Sequence, residues 1–368
     1  MIERGRISSG QMALILFAGI STTGTLVSPN MTGWYAGRDL WLSVLWASLY
    51  GFVAVGLAFR LHRIYPGENI IQYSPRILGN LPGKALGLLF LVSYLVLVGI
   101  TLREYAEFVK GIFLPQTPMT VIVGSMMLVS AFAVKGGVEV IVRVTQALLP
   151  AALLIFLVTL CLTVQSWDVQ HLFPILEKGI GPSLKGSMVP GIWFSEFFVI
   201  TFLLPLLADP SKGLRRGLIA VTSVALLFLY INLICLFVFG MEYLVMVYPL
   251  FEATRYISYA QFFEHLDAIM LMLWMTGIFI KLCLVHYVVV LGTSQWLNLS
   301  DYQPYSLPMA FLAAGLSLWV VPSSQELYRA ISTIFPFFFP GTNVLIPILL
   351  WLIAEWRNRG LQKGEVVQ

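Results

Sequence analysis

Gly19-Ile20-Ser21-Thr22-Thr23-Gly24-Thr25 places four hydroxyl side chains and two glycines in the middle of the first long apolar stretch of this sequence. A second interruption, Pro190-Gly191-Ile192-Trp193-Phe194-Ser195-Glu196, lies in the sixth apolar stretch. Helix-breaking residues at matching places in two halves of a membrane protein indicate a ligand site near the bilayer midplane. We therefore predict that both helices are broken, and that freed N–H groups at a positive helix end can hold a carboxylate.

The composition predicts a protein embedded in lipid. Of the 368 residues, 58% are hydrophobic and 11% are charged, and the mean hydropathy is +0.86. A soluble domain carries about 25% charged residues, because water must solvate its surface. The net charge of +4 is small and requires no nucleic-acid partner. Membrane lipid is therefore the predicted surrounding.

Ten apolar stretches are long enough to cross ~30 Å of hydrocarbon as helices. None of them alternates with a period of two, so helices are favoured over a barrel. The gaps hold no soluble domain, and residues 1–368 are predicted to form a single transmembrane domain with short tails. The predicted spans are 11–30, 40–60, 85–110, 118–135, 144–164, 187–207, 217–240, 268–291, 306–322 and 334–354.

The positive charges predict the orientation of these spans. If the N-terminus lies inside, about two-thirds of the 22 lysines and arginines fall on the cytoplasmic side. Cytoplasmic loops carry an excess of Lys and Arg in membrane proteins. Both termini are therefore predicted to be cytoplasmic.

The linker lengths predict an inverted repeat. The long linker 61–84 follows the second span, and the long linker 241–267 follows the seventh. Each half then contains five helices, and an odd number places the two halves in opposite orientations, as in inverted repeats. Repeat one is predicted over about 7–164 and repeat two over about 187–354.

Glu196 and Lys281 are the two ionisable residues deepest in the predicted spans. A charge at the bilayer centre costs ~2.5–3.5 kcal/mol, so such residues usually pair or face a cavity. In a five-plus-five arrangement the eighth helix lies beside the first, which would place the Lys281 ammonium near Ser21 to Thr23. There it could do the electrostatic work of a sodium ion. The alternatives are that Lys281 reaches an interface or pairs structurally with Glu196.

Other candidates for the pocket are weaker. Tyr94 and Val98 lie one turn apart and could supply a hydroxyl and an apolar wall, or could be ordinary packing. Trp193 and Phe194 could gate a small pocket, although aromatic residues in membrane helices are more often packing.

The sequence offers no catalytic or metal-binding motif. There is no HExxH, GxSxG, Walker A or Rossmann glycine pattern, so we predict that the protein is not an enzyme and carries no cofactor. Cys161, Cys235 and Cys283 lie in apolar stretches without CxxC or Cys/His spacing, so neither a disulfide framework nor a metal site is predicted.

Several short segments carry a family resemblance. They are Ile7 to Gln11, Asp39 to Ser43, Tyr65 to Ile70, Leu102 to Phe108, Leu114 to Pro118, Lys135 to Glu139 with Arg143, and Leu172 to Leu176. Together they resemble the B subunits of bacterial spore germination receptors, over residues 7 to 355. That family belongs to the amino acid–polyamine–organocation transporter superfamily. The resemblance implies an all-α polytopic membrane fold with about ten transmembrane helices in a LeuT-like 5+5 inverted repeat.

The same resemblance implies a location, a ligand and partners. The location is the inner membrane of a dormant spore, and the ligand is a small nutrient germinant, often an amino acid. The partners are a germination receptor A subunit and a C-subunit lipoprotein. The implied ligand-binding residues are Gly19, Ser21, Thr22, Thr23, Gly24, Tyr94, Val98, Gly191, Trp193, Ser195, Glu196 and Lys281. The family often has a smaller residue before the glutamate, where this chain has Trp193-Phe194-Ser195.

Three functions remain alternatives at this point. A sensor binds germinant at the midplane and shifts a conformational equilibrium that its partners detect. A secondary transporter carries amino acids with protons or sodium. A structural scaffold keeps only a vestigial pocket. Fold alone does not separate them.

Overall fold

A computed structural model describes residues 3, 5–255, 266–321 and 323–365 of the chain. All of its regular elements in these ranges are helical. The N-terminal half contains α1 (Ser9–Ala36), α2 (Leu40–Ile64), α3 (Ile70–Leu78), α4 (Asn80–Ile112), α5 (Met119–Lys135), α6 (Val138–Leu162), α7 (Gly181–Gly186) and α8 (Met188–Ser195). The C-terminal half contains α9 (Pro210–Phe239), α10 (Pro249–Arg255), α11 (Leu266–Trp296), α12 (Ser306–Trp319), α13 (Ser324–Thr333), α14 (Phe335–Pro340) and α15 (Ile346–Glu365).

Six helical stretches of the described chain are long and apolar enough to cross a membrane, or seven if the bent pair α12 and α13 is one span. One of the six covers Ser9–Ile64, 56 residues, and therefore contains both α1 and α2. About 20 residues are enough for one crossing, so this stretch can supply two. The short apolar helix α5 adds another candidate. The all-α polytopic architecture is confirmed, and the number of ten spans stays a prediction.

The first helix differs from the prediction, because α1 runs unbroken through Gly19 to Thr25. The Thr22 hydroxyl donates to the Ala18 carbonyl at 2.6 Å, and the Thr25 hydroxyl donates to the Thr22 carbonyl at 2.8 Å. Threonines can make these bonds within an intact helix, so their polarity did not require unwinding. The predicted break in the first helix is therefore wrong.

The glycines of this region serve close packing instead. A Cβ on Gly24 would lie 2.3 Å from the Phe228 ring and 2.9 Å from the Trp193 ring. A Cβ on Gly277 of α11 would lie 2.4 Å from the Thr22 hydroxyl oxygen. Small residues let membrane helices approach closely. Helix α1 thus lies in the centre of the bundle, against α9, α11, α8 and α6.

The sixth span is interrupted, as predicted, but later than its proline suggests. Pro190 lies in the first turn of α8, where its missing N–H removes no hydrogen bond of the helix interior. The α-helix ends at Ser195, and the chain continues as 3₁₀ helix over Glu196–Phe202 and Leu204–Leu206. The change of helix type therefore falls at Glu196, the only carboxylate of the segment 187–207.

Candidate functional site

Three elements meet at a buried ion pair. The Lys281 ammonium of α11 lies 2.9 Å from Glu196 Oε2 and donates to Glu196 Oε1 at 3.2 Å. It also donates to Thr23 Oγ1 of α1 at 2.8 Å. The two charged side chains are 1% and 4% exposed. We call Thr23, Glu196 and Lys281 the central triad.

The contacts of the triad offset the free-energy cost of burying the two charged side chains. A buried carboxylate or ammonium loses its hydration, and only a close partner with further hydrogen bonds offsets that loss. Here Lys281 has both a carboxylate and a hydroxyl as acceptors. Lys281 thus lies beside the first helix and also pairs with Glu196, and its use in place of a sodium ion stays a prediction.

Trp193 connects the triad to the α8 side. Its indole N–H donates to Thr23 Oγ1 at 2.7 Å, so this oxygen accepts from both Trp193 and Lys281. The Trp193 ring packs edge-on against Phe228 of α9, with centroids 6.4 Å apart. The indole is thereby fixed, and it holds the Thr23 hydroxyl in the position that Lys281 uses.

A small cavity lies beside the triad, on the neighbouring face of α1. Its volume is about 80 Å³, and its wall includes Ser21, Thr22 and Thr25 of α1 and Gly277 of α11. Thr22 precedes Thr23 in the chain, and Gly277 is one helical turn before Lys281. The cavity and the triad therefore share the two helices α1 and α11.

The hydroxyls of this cavity face it mainly as acceptors. Thr22 and Thr25 give their protons to carbonyls of their own helix, which leaves oxygen lone pairs available. Thr276 of α11 does the same with the Met272 carbonyl at 2.9 Å. A small ligand that donates hydrogen bonds suits such a wall better than an anion does.

Aromatic rings close the other side of the cavity. Phe108 of α4 lies 4.6 Å from the Trp274 ring and 5.4 Å from the Phe251 ring, centroid to centroid. Trp274 also donates its indole N–H to the Thr22 carbonyl at 3.0 Å, which ties the ring to α1. The cavity is thus mostly apolar, with its polar atoms confined to one wall.

The structure separates the remaining predicted residues. Gly19 packs against Leu284 of α11, and Gly191 lies against the Tyr50 ring instead of facing the cavity. Ser195 donates to the Ile192 carbonyl of its own helix at 2.6 Å. These three residues shape the helix contacts around the triad.

Tyr94 and Val98 are both buried in α4. The Tyr94 ring packs edge-on against Phe202, with centroids 5.7 Å apart, and its hydroxyl has no hydrogen-bond partner among the described residues. Neither residue lines the 80 Å³ cavity. Tyr94 belongs to the packing between α4 and the 3₁₀ segment that begins at Glu196.

Sequence reasoning missed the aromatic wall and Gly277. Phe108, Phe251 and Trp274 stand in apolar sequence, where nothing indicates which ring faces a cavity. Gly277 did carry a signal, because it lies four residues before Lys281 and therefore on the same helix face. A glycine at that spacing from a buried charge predicts close approach of a neighbouring helix.

Across residues 3, 5–255, 266–321 and 323–365, no group of three or more His, Cys, Asp or Glu side chains is arranged to hold a metal ion. The charged chemistry of the site is that of the Lys281–Glu196 pair together with Glu104 of α4, whose carboxyl interacts electrostatically with both.

The fold is that of the LeuT-like class of integral membrane proteins. Mhp1, a nucleobase-cation-symport-1 family transporter in a closed conformation with bromovinylhydantoin bound, aligns with a TM-score of 0.63 at 10% identity and covers 95% of this chain and 92% of its own. MhsT in complex with L-phenylalanine aligns with a TM-score of 0.63 at 16% identity and covers 95% and 89%. At these identities the likeness concerns the fold alone, and it confirms the predicted fold class.

Within that class the chain belongs to the family of spore germination proteins, because residues 6–326 match the sequence profile of that family. Spore germination protein KB of Bacillus subtilis (strain 168) is 24% identical over 370 residues, which cover 99% of this chain and 98% of that protein. Spore germination protein XB of Bacillus anthracis is 27% identical over 281 residues, covering 76% and 78%. The predicted family is confirmed.

Proposed function

We propose that this chain is the B subunit of a nutrient germinant receptor and that it binds a small germinant beside the central triad. The observation that carries the proposal is the Lys281 ammonium, which is buried between Glu196 and Thr23 next to a cavity of about 80 Å³. Binding there would change the contact between α1, α11 and the interrupted sixth span. Membership in the spore germination family supports a signalling outcome of that change.

The cavity supports a small, mostly apolar germinant with hydrogen-bond donors, such as an amino acid with a short side chain. Its aromatic and aliphatic walls favour an apolar part, and the threonine oxygens favour donors such as an ammonium group. Because Glu196 and Lys281 already neutralise each other, the ligand need not bring a coupling ion. A ligand shifts the equilibrium only if it binds one state better than the other.

The proposed setting is the inner membrane of the bacterial spore, with both termini in the cytoplasm. The proposed partners are an A subunit and a C-subunit lipoprotein. Support comes from the relatives, which are spore germination proteins, and from the predicted excess of positive charge on one side. A cysteine scan with a membrane-impermeant thiol reagent at both termini tests the orientation.

The second candidate is a proton- or sodium-coupled amino acid permease. It is favoured by the fold, since Mhp1 is described as a transporter. The two candidates differ in flux. A permease accumulates substrate when an ion gradient is applied, whereas a receptor binds saturably without accumulation.

The decisive experiment uses the purified protein in liposomes with a panel of radiolabelled amino acids. Binding and uptake are measured with and without proton and sodium gradients, for the wild type and for Thr22→Val. The matched control is Thr222→Val, because Thr222 makes the same bond to a carbonyl four residues earlier but lies exposed on α9. Saturable binding without uptake, lost only in Thr22→Val, supports the receptor. Gradient-driven uptake would contradict the receptor proposal and support the permease.

A further inference from the structure

The chain segment before α1 is attached to the bundle at two places. We call residues 3 and 5–9 the N-terminal strap, and the side of the bundle on which it lies the N-terminal face. At its first attachment the Glu3 carboxylate accepts from the hydroxyls of Tyr302 at 2.7 Å and Tyr287 at 3.2 Å. It also accepts from the backbone N–H groups of Gly5 at 2.7 Å and Val138 at 3.4 Å. Helix α11, the turn before α12 and the start of α6 thus meet at one carboxylate.

The second attachment joins the strap to the end of the interrupted sixth span. Ile7 forms a parallel β-bridge with Leu207: Ile7 N–H donates to the Leu206 carbonyl at 3.0 Å, and Ala208 N–H donates to the Ile7 carbonyl at 2.9 Å. The Ser9 N–H and hydroxyl donate to the two oxygens of Asp209 at 2.6 and 2.7 Å. The Ile7 side chain is 1% exposed, so this part of the strap belongs to the core.

A third contact lies between these two attachments. The Arg6 N–H donates to the Glu139 carboxylate at 3.0 Å, and its guanidinium donates to the Pro205 carbonyl at 3.1 Å. Arg6 therefore bridges the start of α6 and the sixth span. The described residues of the strap thus bond to both parts of the bundle.

The elements that the strap ties together are the elements that carry the central triad. Tyr287 lies on α11 six residues after Lys281, a rise of about 9 Å along the helix. Leu206 and Leu207 end the segment that begins with Glu196. The strap itself continues into α1, which carries Thr23. The triad and the strap thus hold the same three elements together, the triad inside the bundle and the strap at its N-terminal face.

We propose that the N-terminal strap is the gate of this face: it must detach from Tyr287, Tyr302 and Leu206 before α1, α11 and the sixth span can separate there. The Glu3 carboxylate holds the gate closed, because it joins α6, α11 and the turn before α12. Because the triad and the strap hold the same elements, we expect them to be thermodynamically coupled, so that loosening the triad loosens the strap. This coupling holds for a receptor and for a permease, and it does not depend on which ligand binds.

The surroundings of Glu3 make the attachment of the strap sensitive to protonation of this carboxylate. The titratable groups that face the strap are Tyr287, Tyr302, Glu139 and Asp209, with Asp301 next in chain to Tyr302. Asp209 accepts from Ser9, and Glu139 is already bonded to Arg143 at 3.1 Å. Burial raises the pKa of the Glu3 carboxyl, but its four hydrogen bonds outweigh burial and leave the pKa lowered. The ionised form therefore holds the strap, and protonation removes acceptor capacity from all four donors.

Hydrogen exchange of the full-length protein in lipid nanodiscs tests the gate. The readout is the exchange rate of the Ile7 and Ala208 amides, which form the bridge. We expect Glu3→Gln to raise this rate on the order of tenfold at neutral pH, because charged acceptors hold donors more strongly than neutral ones. Tyr302→Phe, which keeps the ring and removes one hydroxyl, should give a smaller rise. Glu68→Gln is the matched control, since Glu68 pairs with Arg76 and makes no bond to the strap.

The coupling to the triad separates a gate from a local anchor. The double variant Glu196→Gln with Lys281→Met removes both charges of the pair, so that neither partner is left buried without the other. If the strap is the gate, this variant raises exchange at Ile7 and Ala208, and its effect is not additive with that of Glu3→Gln. Unchanged exchange at the bridge in the triad variant would reduce the strap to a local anchor. If exchange in Glu3→Gln and Tyr302→Phe equals that of the wild type, the Glu3 carboxylate does not hold the strap, and the proposal is overturned. Amides in the middle of α9 report whether each variant is folded.

Discussion

Lys281 and Glu196 form a buried pair with their charged atoms 2.9 Å apart, and Thr23 of α1 accepts a second bond from the same ammonium. The pair joins two distant parts of the chain, because 84 residues lie between Glu196 and Lys281 in the sequence. Such a pair contributes little net stability as long as it is intact, but removing one partner leaves an uncompensated charge. The contact is therefore suited to define one conformation of the bundle.

Lys281→Met should lower the free energy of unfolding by ~3–5 kcal/mol, because it leaves the Glu196 carboxylate buried without a counter-charge. Adding Glu196→Gln should restore much of the loss. Denaturant unfolding in detergent measures both variants, with Lys135→Met, at the exposed end of α5, as the control. A single variant as stable as the wild type would show that Glu196 is neutral or solvated in the folded protein.

Ligand binding should not depend on sodium. The Lys281 ammonium lies where it can supply a fixed positive charge between α1 and the sixth span, so replacing sodium by choline should leave the dissociation constant unchanged within about twofold. Equilibrium binding of a bound amino acid to liposomes in the two salts measures this. A tenfold weaker affinity in choline contradicts the prediction and indicates a cation site elsewhere.

Gly277→Ala should be destabilising by ~1–3 kcal/mol, since its Cβ would meet the Thr22 hydroxyl at 2.4 Å and force α1 away from α11. The same variant should weaken ligand binding, because Thr22 and Gly277 both line the cavity. Gly315→Ala in α12 is the matched control: no atom lies within 4 Å of its added Cβ, and alanine favours a helix. Equal melting temperatures for the two variants would show that α1 and α11 are less closely packed than described.

The bond between Ser9 and Asp209 should make stability depend on acidity. The Ser9 hydroxyl, followed by the Ser9 N–H, holds the pKa of the Asp209 carboxyl below its usual range. A lowered folded-state pKa stabilises the protein above the unfolded value of ~3.9, and this contribution is lost as the pH falls through the folded pKa. The melting temperature of Asp209→Asn should thus lie below that of the wild type at pH 7 and approach it under acidic conditions. A constant difference across this range argues against ionisation as the cause.

Buried charges were predictable from the sequence because they are rare in apolar stretches. Glu196 and Lys281 stood out for this reason, and their pairing was one of the alternatives left open. The helix break did not follow equally well. A run of serine, threonine and glycine is compatible with an unwound segment and with an intact helix whose hydroxyls bond its own carbonyls, and α1 is the second case. Pro190 correctly indicated that the sixth span is interrupted. Because it lies in the first turn of α8, however, it does not itself end that helix, and the change of helix type falls at Glu196.

The strap and the cavity wall had no comparable signal. Glu3 and Ile7 precede the first span, and their partners Tyr302 and Leu207 lie about 200 or more residues away in the sequence. Long-range contacts of this kind leave no periodic pattern. Phe108 and Trp274 stand among other apolar residues, so only the packed helices reveal which rings meet. The sequence thus predicted the helices and the charges between them, and the structure supplied the contacts at the face.

The neutrality of the Lys281–Glu196 pair has an electrical consequence. A single elementary charge that crosses the full membrane potential exchanges about 2.3 kcal/mol per 100 mV with the field. When an ammonium and a carboxylate 2.9 Å apart shift together, their contributions cancel almost completely. Rearrangement of this pair is therefore nearly insensitive to voltage, and it would proceed alike in an energised and in a de-energised membrane.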